Sequence, residues 1–586
     1  MTDLPSFGAV LVAPDTTRFR LWAPDSERVS VEIEGQPPVA MTQEAGGWHV
    51  AIVRCGAGTR YRYRVRPDLT VPDPASHLQN GDVHDASVVV DPGTYKWRVN
   101  GWRGRPWQEA VIYELHVGLC GGFAGAAARL ADLARLGVTM IELMPIAEFP
   151  GARNWGYDGV LPYAPEASYG TPDDLKSLID TAHGLRLMVM LDVVYNHFGP
   201  DGNYLGEYAS PLWRRDKTTP WGNAIDFRHP EVNRFFIENA LYWLSEFHFD
   251  GLRFDAVHAI DDTSFLRAMA SEIRATIGPD RHVHLVIENE ANAASLLRRG
   301  PSRPGFDAQW ADDFHHCLHV LLTGEREGYY EDYASAPTAM LARCLAEGFA
   351  FQGQVSTHSG QARGEPSAYL PPTAFVVCLQ NHDQVGNRAL GERLTILADP
   401  DALRAATVML LLSPQIPLLF MGQEWGAETP FLFFTDHHDE LGEAVRRGRR
   451  QEFTKFAAFA DPERRKQIPD PNALATFEVS RTDPADAMQP THAAWLHLHR
   501  TLLATRARHI TSHMFDVQAL AARTLGPAGV YASWRLGNGA VLTIAANFGD
   551  APIPWSASGQ VLYATSGATQ GNLPPRSCLA ALDVPQ

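Results

Sequence analysis

Between Ala110 and Gly422 the chain repeats one unit: a short apolar run, then a longer stretch with apolar residues at every third or fourth position. Continuous apolar runs suit strands covered on both faces, as in parallel sheets, and the longer period suits amphipathic helices. AVIYELHVG, TMIELMPI, RLMVMLDVV, GLRFDAV and HVHLVIE read as strands one to five. A weaker run around DAQWADDF is sixth, followed by AFVVCLQNHD and IPLLFMG. Among the intervening helices, AAARLADLARLG ends on glycine, and PDDLKSLIDTAHG opens on proline and closes on glycine. Eight alternations across 101–508 predict the α/β class and a (β/α)8 TIM barrel, ahead of an open doubly wound sheet.

The flanks follow a different period. Residues 1–100 alternate with period two in FRLWAPDSERVSVEIEG, WHVAIV and YRYRV, which predicts an N-terminal β-sandwich. VPDPASHLQNGDVHDASVVVDPGTY reads as a linker or a loop packed on the next domain. Two excursions, 195–229 and 425–492, interrupt the barrel after strands three and eight, and AAWLHLHRTLLATRAR closes it. Short strands return in VYASWRLG, AVLTIAANF and QVLYAT, predicting a C-terminal β domain over 509–586.

Composition narrows the function classes. In 586 residues, 45% hydrophobic and 20% charged content is that of a soluble globular chain. A net charge of −17 argues against nucleic acid and an anionic membrane as partners and suits a neutral substrate. The six cysteines are scattered, with no CxxC spacing, which suits a reducing compartment. With no basic-then-apolar leader and no membrane-length apolar run, the cytoplasm is the expected location. No ligand spacing suggests a metal or a cofactor, and none is expected.

Chemistry concentrates at strand ends. In GLRFDAV, Arg253 and Asp255 occupy alternate positions and share a face. Such a pair can simply hold register, or it can keep a nucleophilic carboxylate ionised. Asp192, Glu288 and Asp383 end strands three, five and seven, so with Asp255 they meet at the barrel mouth, where this architecture places its reactions. A divalent metal site is the competing reading, but the accompanying Arg253, His197 and His382 suit hydroxyl recognition better. Clustered carboxylates without a metal suit glycoside cleavage, one acting as nucleophile and one as proton donor. Arg253 is expected to hold Asp255 ionised, and the apolar HLVI ahead of Glu288 to raise its pKa.

DVVYNH, GLRFDAVH, VIENE and QNHD, in this order, resemble the four signature segments of the α-amylase superfamily of retaining glycosidases, glycoside hydrolase family 13. The resemblance implies Asp255 as nucleophile, Glu288 as general acid/base and Asp383 as transition-state stabiliser. It implies that His197, Arg253 and His382 contact the cleaved sugar, that Asp192 supports the site, and that Tyr157 stacks beneath the sugar. ELMPIAEFPGARNWGYDGVLPYAPEASYGTPDDL, GFDAQWADDFHHCLHVLLTGEREGYYEDY and CLQNHDQVGNRALGERL resemble more narrowly the branch that hydrolyses maltooligosyl-trehalose. That branch releases trehalose and maltooligosaccharides and carries a carbohydrate-binding-like (E-set) front module. Glucan branching and debranching enzymes of the superfamily are the alternative. VIENE departs from the usual pattern at Ile287 and Glu290, which touches the contacts beside the acid and not the acid itself.

Aromatic residues crowd the expected mouth loops: Trp155, Trp221, Trp310, Tyr329 and Tyr330. Some of them, Trp221 foremost, are expected to stack on sugar rings. Arg388 and Arg393 follow strand seven, where Arg388 is a candidate for holding carboxylates or sugar hydroxyls. The pair His315–His316 lacks an acidic or cysteine partner at ligand spacing and is not expected to bind metal.

Overall fold

The computed structural model describes residues 5–297, 305–556, 558–565 and 567–585. Eight strands form a closed barrel in chain order: Ile112–Leu115, Met140–Leu143, Met188–Val193, Gly251–Phe254, His284–Glu288, Ala308–Trp310, Phe375–Cys378 and Ile416–Phe420. All pairs are parallel, and the eighth closes on the first through Ile112 and Leu418. The barrel is thus the predicted one and not an open sheet. Nearly every strand residue is buried, because helices cover the outside and side chains fill the inside.

Local chemistry sets the helix ends. Thr171 and Asp174 form a reciprocal capping box ahead of helix Pro172–Gly184, while Asp262 and Asp399 cap helices Thr263–Ile277 and Pro400–Leu412. Helix Gly122–Leu136 ends at Gly137, whose φ of 109° is left-handed.

The N-terminal strands form two antiparallel sheets. One carries Gly8–Ala13, Thr16–Trp22 and Trp48–Val53, the other Ser30–Ile33 and Arg60–Arg66. Phe19, Leu21, Val31, Tyr61 and Tyr63 are buried in their core. The stretch after Val71 is a packed loop: buried Asp73 accepts from Tyr61 Oη at 2.7 Å and Tyr63 Oη at 3.2 Å, and His77 stacks on Tyr242 of a barrel helix. At the other end, Gln518–Leu525, Gly529–Arg535, Val541–Asn547, Ser577–Asp583 and Gln560–Ala564 form a five-stranded sheet. Trp534 of this sheet is buried and donates from Nε1 to Leu345 O at 3.1 Å, tying it to a barrel helix.

Within 195–229, strands Trp213–Thr219 and Gly222–Ile225 make a hairpin with Trp221 at its turn. Within 425–492 lie helices Asp439–Glu452 and Leu474–Val479, and helix Pro490–His509 follows. Among the described residues no helix is long and apolar enough to cross a membrane.

Candidate active site

Arg253 is the hub of the barrel mouth. Strands three and four place Asp192 beside Arg253 in register, and period-two alternation puts Asp255 on the same face. Arg253 is fully buried. Its Nη1 donates to both oxygens of Asp192 at 2.9 and 2.8 Å and to Asp255 Oδ1 at 2.8 Å. Its Nη2 donates to Glu288 Oε2 at 2.9 Å, and the guanidinium lies 4.1 Å from the Trp310 ring centroid. A guanidinium offers five N–H donors in fixed directions across a plane, and so spans three carboxylates more widely than the three donors of a compact ammonium.

Ala256 shapes the next contact. Its φ of 39° is left-handed, a conformation that costs a side-chain-bearing residue about 1–2 kcal/mol. The turn it makes directs its N–H to Glu288 Oε2 at 2.9 Å. Two donors therefore converge on one Glu288 oxygen.

These contacts reverse one expectation. Burial, and then the neighbouring Glu288, push Asp255 well above the ordinary carboxylate range. Burial acts the same way on Glu288, but Arg253 and the Ala256 N–H outweigh it and bring Glu288 below its ordinary value, with Asp255 hydrogen-bonded to it. Burial thus disfavours charge on Asp255, while the Arg253 fork and the Ala256 N–H favour it on Glu288. The reason is that Glu288 leaves the apolar HLVI run behind and enters the fork of Arg253.

Asp383 lies in the first turn of the short helix His382–Gly386, which Asn381 caps by accepting from Gln384 N at 3.0 Å. His382 Nε2 lies 3.4 Å from Asp383 Oδ1, and the imidazole stacks on Tyr157 with centroids 5.1 Å apart. Burial alone would lower the His382 pKa, but Asp383 and Glu114 bring it up to about 10. Tyr157 donates from Oη to Asp192 Oδ2 at 2.7 Å, while its carbonyl meets His197 Nε2 at 2.9 Å. The turn before Tyr157 requires glycine: at Gly156, φ is 102° and a Cβ would sit 2.1 Å from Pro145 O. His197 in turn stacks against Trp221, with centroids 5.1 Å apart and planes 13° apart, and Trp221 is 45% exposed above it.

Asp255, Glu288, Asp383, Asp192, Arg253, His382, Tyr157, His197 and Trp221 are thus linked by direct contacts around one mouth. Arg388 is not brought to them. Its guanidinium holds carboxylates, one of the two uses expected of it: Glu325 at 2.7 and 3.0 Å and Glu392 at 3.2 Å. Arg393 is buried and donates to the Thr429 and Met421 carbonyls. Of the mouth aromatics, Trp155, Trp310 and Tyr330 are buried in packing, leaving Trp221 and Tyr329 exposed. His315 and His316 pack among Tyr329, Tyr330 and Tyr333, and the described residues contain no metal-ligand cluster.

Sequence reasoning missed three acids here. Glu114 on strand one binds His382, with Oε1 2.5 Å from Nδ1. Glu142 on strand two is fully buried, with neither carboxyl oxygen hydrogen-bonded. Asp312, after strand six, is pushed up to about 8 by burial and then by Glu288 and Asp383. The first two were visible as lone acids inside apolar strands, IYEL and IELM.

Residues 80–221 match the family described as the alpha amylase catalytic domain, and 518–580 match a domain of unknown function, DUF3459. A malto-oligosyltrehalose trehalohydrolase of Deinococcus radiodurans is 42% identical over 85% of this chain and 82% of its own length. Another, from Rhizobium sp. (strain M-11), is 37% identical over 97% of this chain and 98% of its own. A crystal structure of a Salmonella typhimurium protein described as an alpha amylase superposes with a TM-score of 0.94 at 44% identity, covering 99% of this chain and 100% of that one. A 1,4-alpha-glucan branching enzyme of Nocardia farcinica matches only 41% of this chain and 36% of its own, at 36% identity.

Proposed function

The chain belongs to the malto-oligosyltrehalose trehalohydrolase family of the α-amylase superfamily, and from that premise we propose how its residues divide the reaction. The substrate is maltooligosyl-trehalose, and the bond cut is the α-1,4 bond next to the trehalose end. The products are trehalose and a maltooligosaccharide. The observation that carries this reading is the single guanidinium shared by Asp192, Asp255 and Glu288, which fixes two reactive carboxyls side by side at the barrel mouth.

With substrate bound, the reaction proceeds with Asp255 ionised and one proton on Glu288. An oxygen of ionised Asp255 then bonds to the anomeric carbon as the bond to the leaving oxygen breaks. Glu288 gives its proton to that oxygen, so trehalose departs neutral. Water next attacks the same carbon and yields its proton to Glu288. The ester to Asp255 breaks, regenerating the carboxylate, and the two inversions retain the α configuration. Asp383 and His382 grip the hydroxyls of the reacting sugar, Tyr157 supports its ring and Asp192 keeps Arg253 in place. Trp221 and His197 border the same sugar from the hairpin side.

The same reading places the enzyme in the cytoplasm, where reducing conditions suit six unbridged cysteines, five of them buried. Incubation with maltooligosyl-trehalose and, separately, with amylopectin tests the reaction. Free trehalose from the first supports it. A change in the iodine spectrum of the second, with no trehalose from the first, rejects it in favour of branching.

A further inference from the structure

Glu114 has no place in the reaction as derived, yet its side chain is buried and both its oxygens are spent on one residue. Oε2 accepts the backbone N–H of His382 at 3.0 Å, and Oε1 meets Nδ1 of the same residue at 2.5 Å. The two residues lie 268 positions apart, on strand one and just beyond strand seven. One carboxylate therefore fixes both the main chain and the ring of His382, leaving Nε2 to face Asp383.

We propose that Glu114 is a positioning residue of the catalytic centre, clamping His382 in one orientation and holding it as a cation against Asp383. The inference rests on the roles proposed above for His382 and Asp383. A cationic imidazole offers a donor from both nitrogens: Nδ1–H to Glu114, and Nε2–H to Asp383 or to a sugar hydroxyl beside it. Its charge also opposes the burial that would otherwise protonate Asp383.

The groups facing His382 decide the balance. Glu114, Glu142 and Asp192 approach from strands one, two and three, and Asp383 adjoins it. Arg253, from strand four, opposes its charge, while burial lowers His116 to about 4 and so leaves it neutral near pH 7. The rings of Tyr157, Trp155 and Trp310 exclude water from the remaining sides. Glu114 is the member in direct contact with Nδ1. Glutamine in its place presents one acceptor and one donor to two N–H groups. The donor end is satisfied only when Nδ1 gives up its proton, so Glu114→Gln favours neutral His382.

The test combines histidine C2-hydrogen exchange, read by peptide mass spectrometry, with kcat and KM as functions of pH. In the parent protein His382 should show no titration between pH 5 and 9. In Glu114→Gln a midpoint should enter that window. kcat should fall at least roughly tenfold with a smaller change in KM, since the grip on the sugar tightens in the transition state. The alkaline limb of activity should move to lower pH, because the cationic form is lost as pH rises through a reduced pKa. Glu114→Asp, which keeps the charge, should restore the parent limb. A parent His382 titrating near 6.5, or a Glu114→Gln enzyme with the parent profile and kcat, overturns the proposal. Should Glu114→Gln not fold, the parent exchange and the Glu114→Asp profile decide it. Asp383→Asn separates the two levels: if it is inactive while Glu114→Gln is normal, only this inference fails. If Asp383→Asn is fully active, the reading of the centre fails.

Discussion

Asp255 and Glu288 are held side by side by one guanidinium, Arg253 Nη1 at 2.8 Å from the first and Nη2 at 2.9 Å from the second. Two carboxyls so placed cannot both ionise cheaply, and burial with the neighbouring Glu288 raises Asp255 well above the ordinary carboxylate range. A substrate whose leaving group needs no proton, such as α-maltosyl fluoride, isolates the nucleophile. Asp255 must be ionised to attack, so activity is lost as pH falls through its pKa. Glu288→Gln removes the charge that raises it. The acid limb of kcat/KM for the fluoride should therefore move to lower pH in Glu288→Gln, while cleavage of maltooligosyl-trehalose falls by several orders of magnitude. An unmoved limb would separate the two carboxyls electrostatically.

Arg253 answers to three carboxylates, and its removal leaves them buried together without their cation. Arg253→Met should destabilise the fold by about 3–5 kcal/mol, the cost of breaking a buried pair, and should abolish activity. Arg253→Lys keeps the charge but not the fork, and should recover stability more than kcat. Thermal denaturation beside kcat measures both. Equal recovery of the two would show that charge alone suffices.

Glu142 makes the opposite case, an acid whose negative charge the fold resists. Burial, then Glu114 and Asp192, hold its pKa well above the ordinary 4.5. In the unfolded chain it ionises near that ordinary value while in the folded chain it stays neutral. Its contribution to stability is therefore present below about pH 4.5 and is lost as pH rises toward the folded value, by up to about 1.4 kcal/mol per pH unit. Glu142→Gln cannot ionise in either state. The Tm of the variant relative to the parent should climb as pH rises above about 4.5, and a difference independent of pH would refute a raised Glu142 pKa.

Gly386 ends the helix that carries Asp383, and a Cβ there would sit 2.1 Å from the Trp155 ring. Trp155 also meets His382 edge-on, so the ring cannot move aside without disturbing the site. Gly386→Ala should lower kcat by up to about a hundredfold, the scale of a 1 Å misplacement, with KM changed less. Steady-state kinetics at unchanged circular dichroism reads this directly.

The barrel was legible because buried parallel strands are apolar on both faces, and seven of the eight runs announce themselves in that way. Strand six, Ala308–Trp310, is short and centres on buried Gln309, so its signal was faint. Asp192, Asp255, Glu288 and Asp383 were legible because a charged residue ending an apolar strand has few other uses. Glu114 and Glu142 carried a related mark, an acid inside an apolar strand, but they sit one layer below the mouth. The opposite pKa directions of Asp255 and Glu288 were not legible, since they depend on the left-handed turn at Ala256 and the reach of Glu288 into the Arg253 fork. The carboxylate that Arg388 holds was not legible for a similar reason: Glu325 lies 63 positions away, and no local pattern records that pairing.

Trapping the glycosyl-enzyme tests the division of labour most directly. A 5-fluoro-α-glucosyl fluoride forms the covalent intermediate faster than water resolves it, and peptide mass spectrometry then locates the added sugar. The assignment predicts one fluoroglucosyl ester, on the Asp255 carboxylate, and none in Asp255→Asn. A label on Glu288 or Asp383, or no covalent adduct from an enzyme that still turns over, would contradict it.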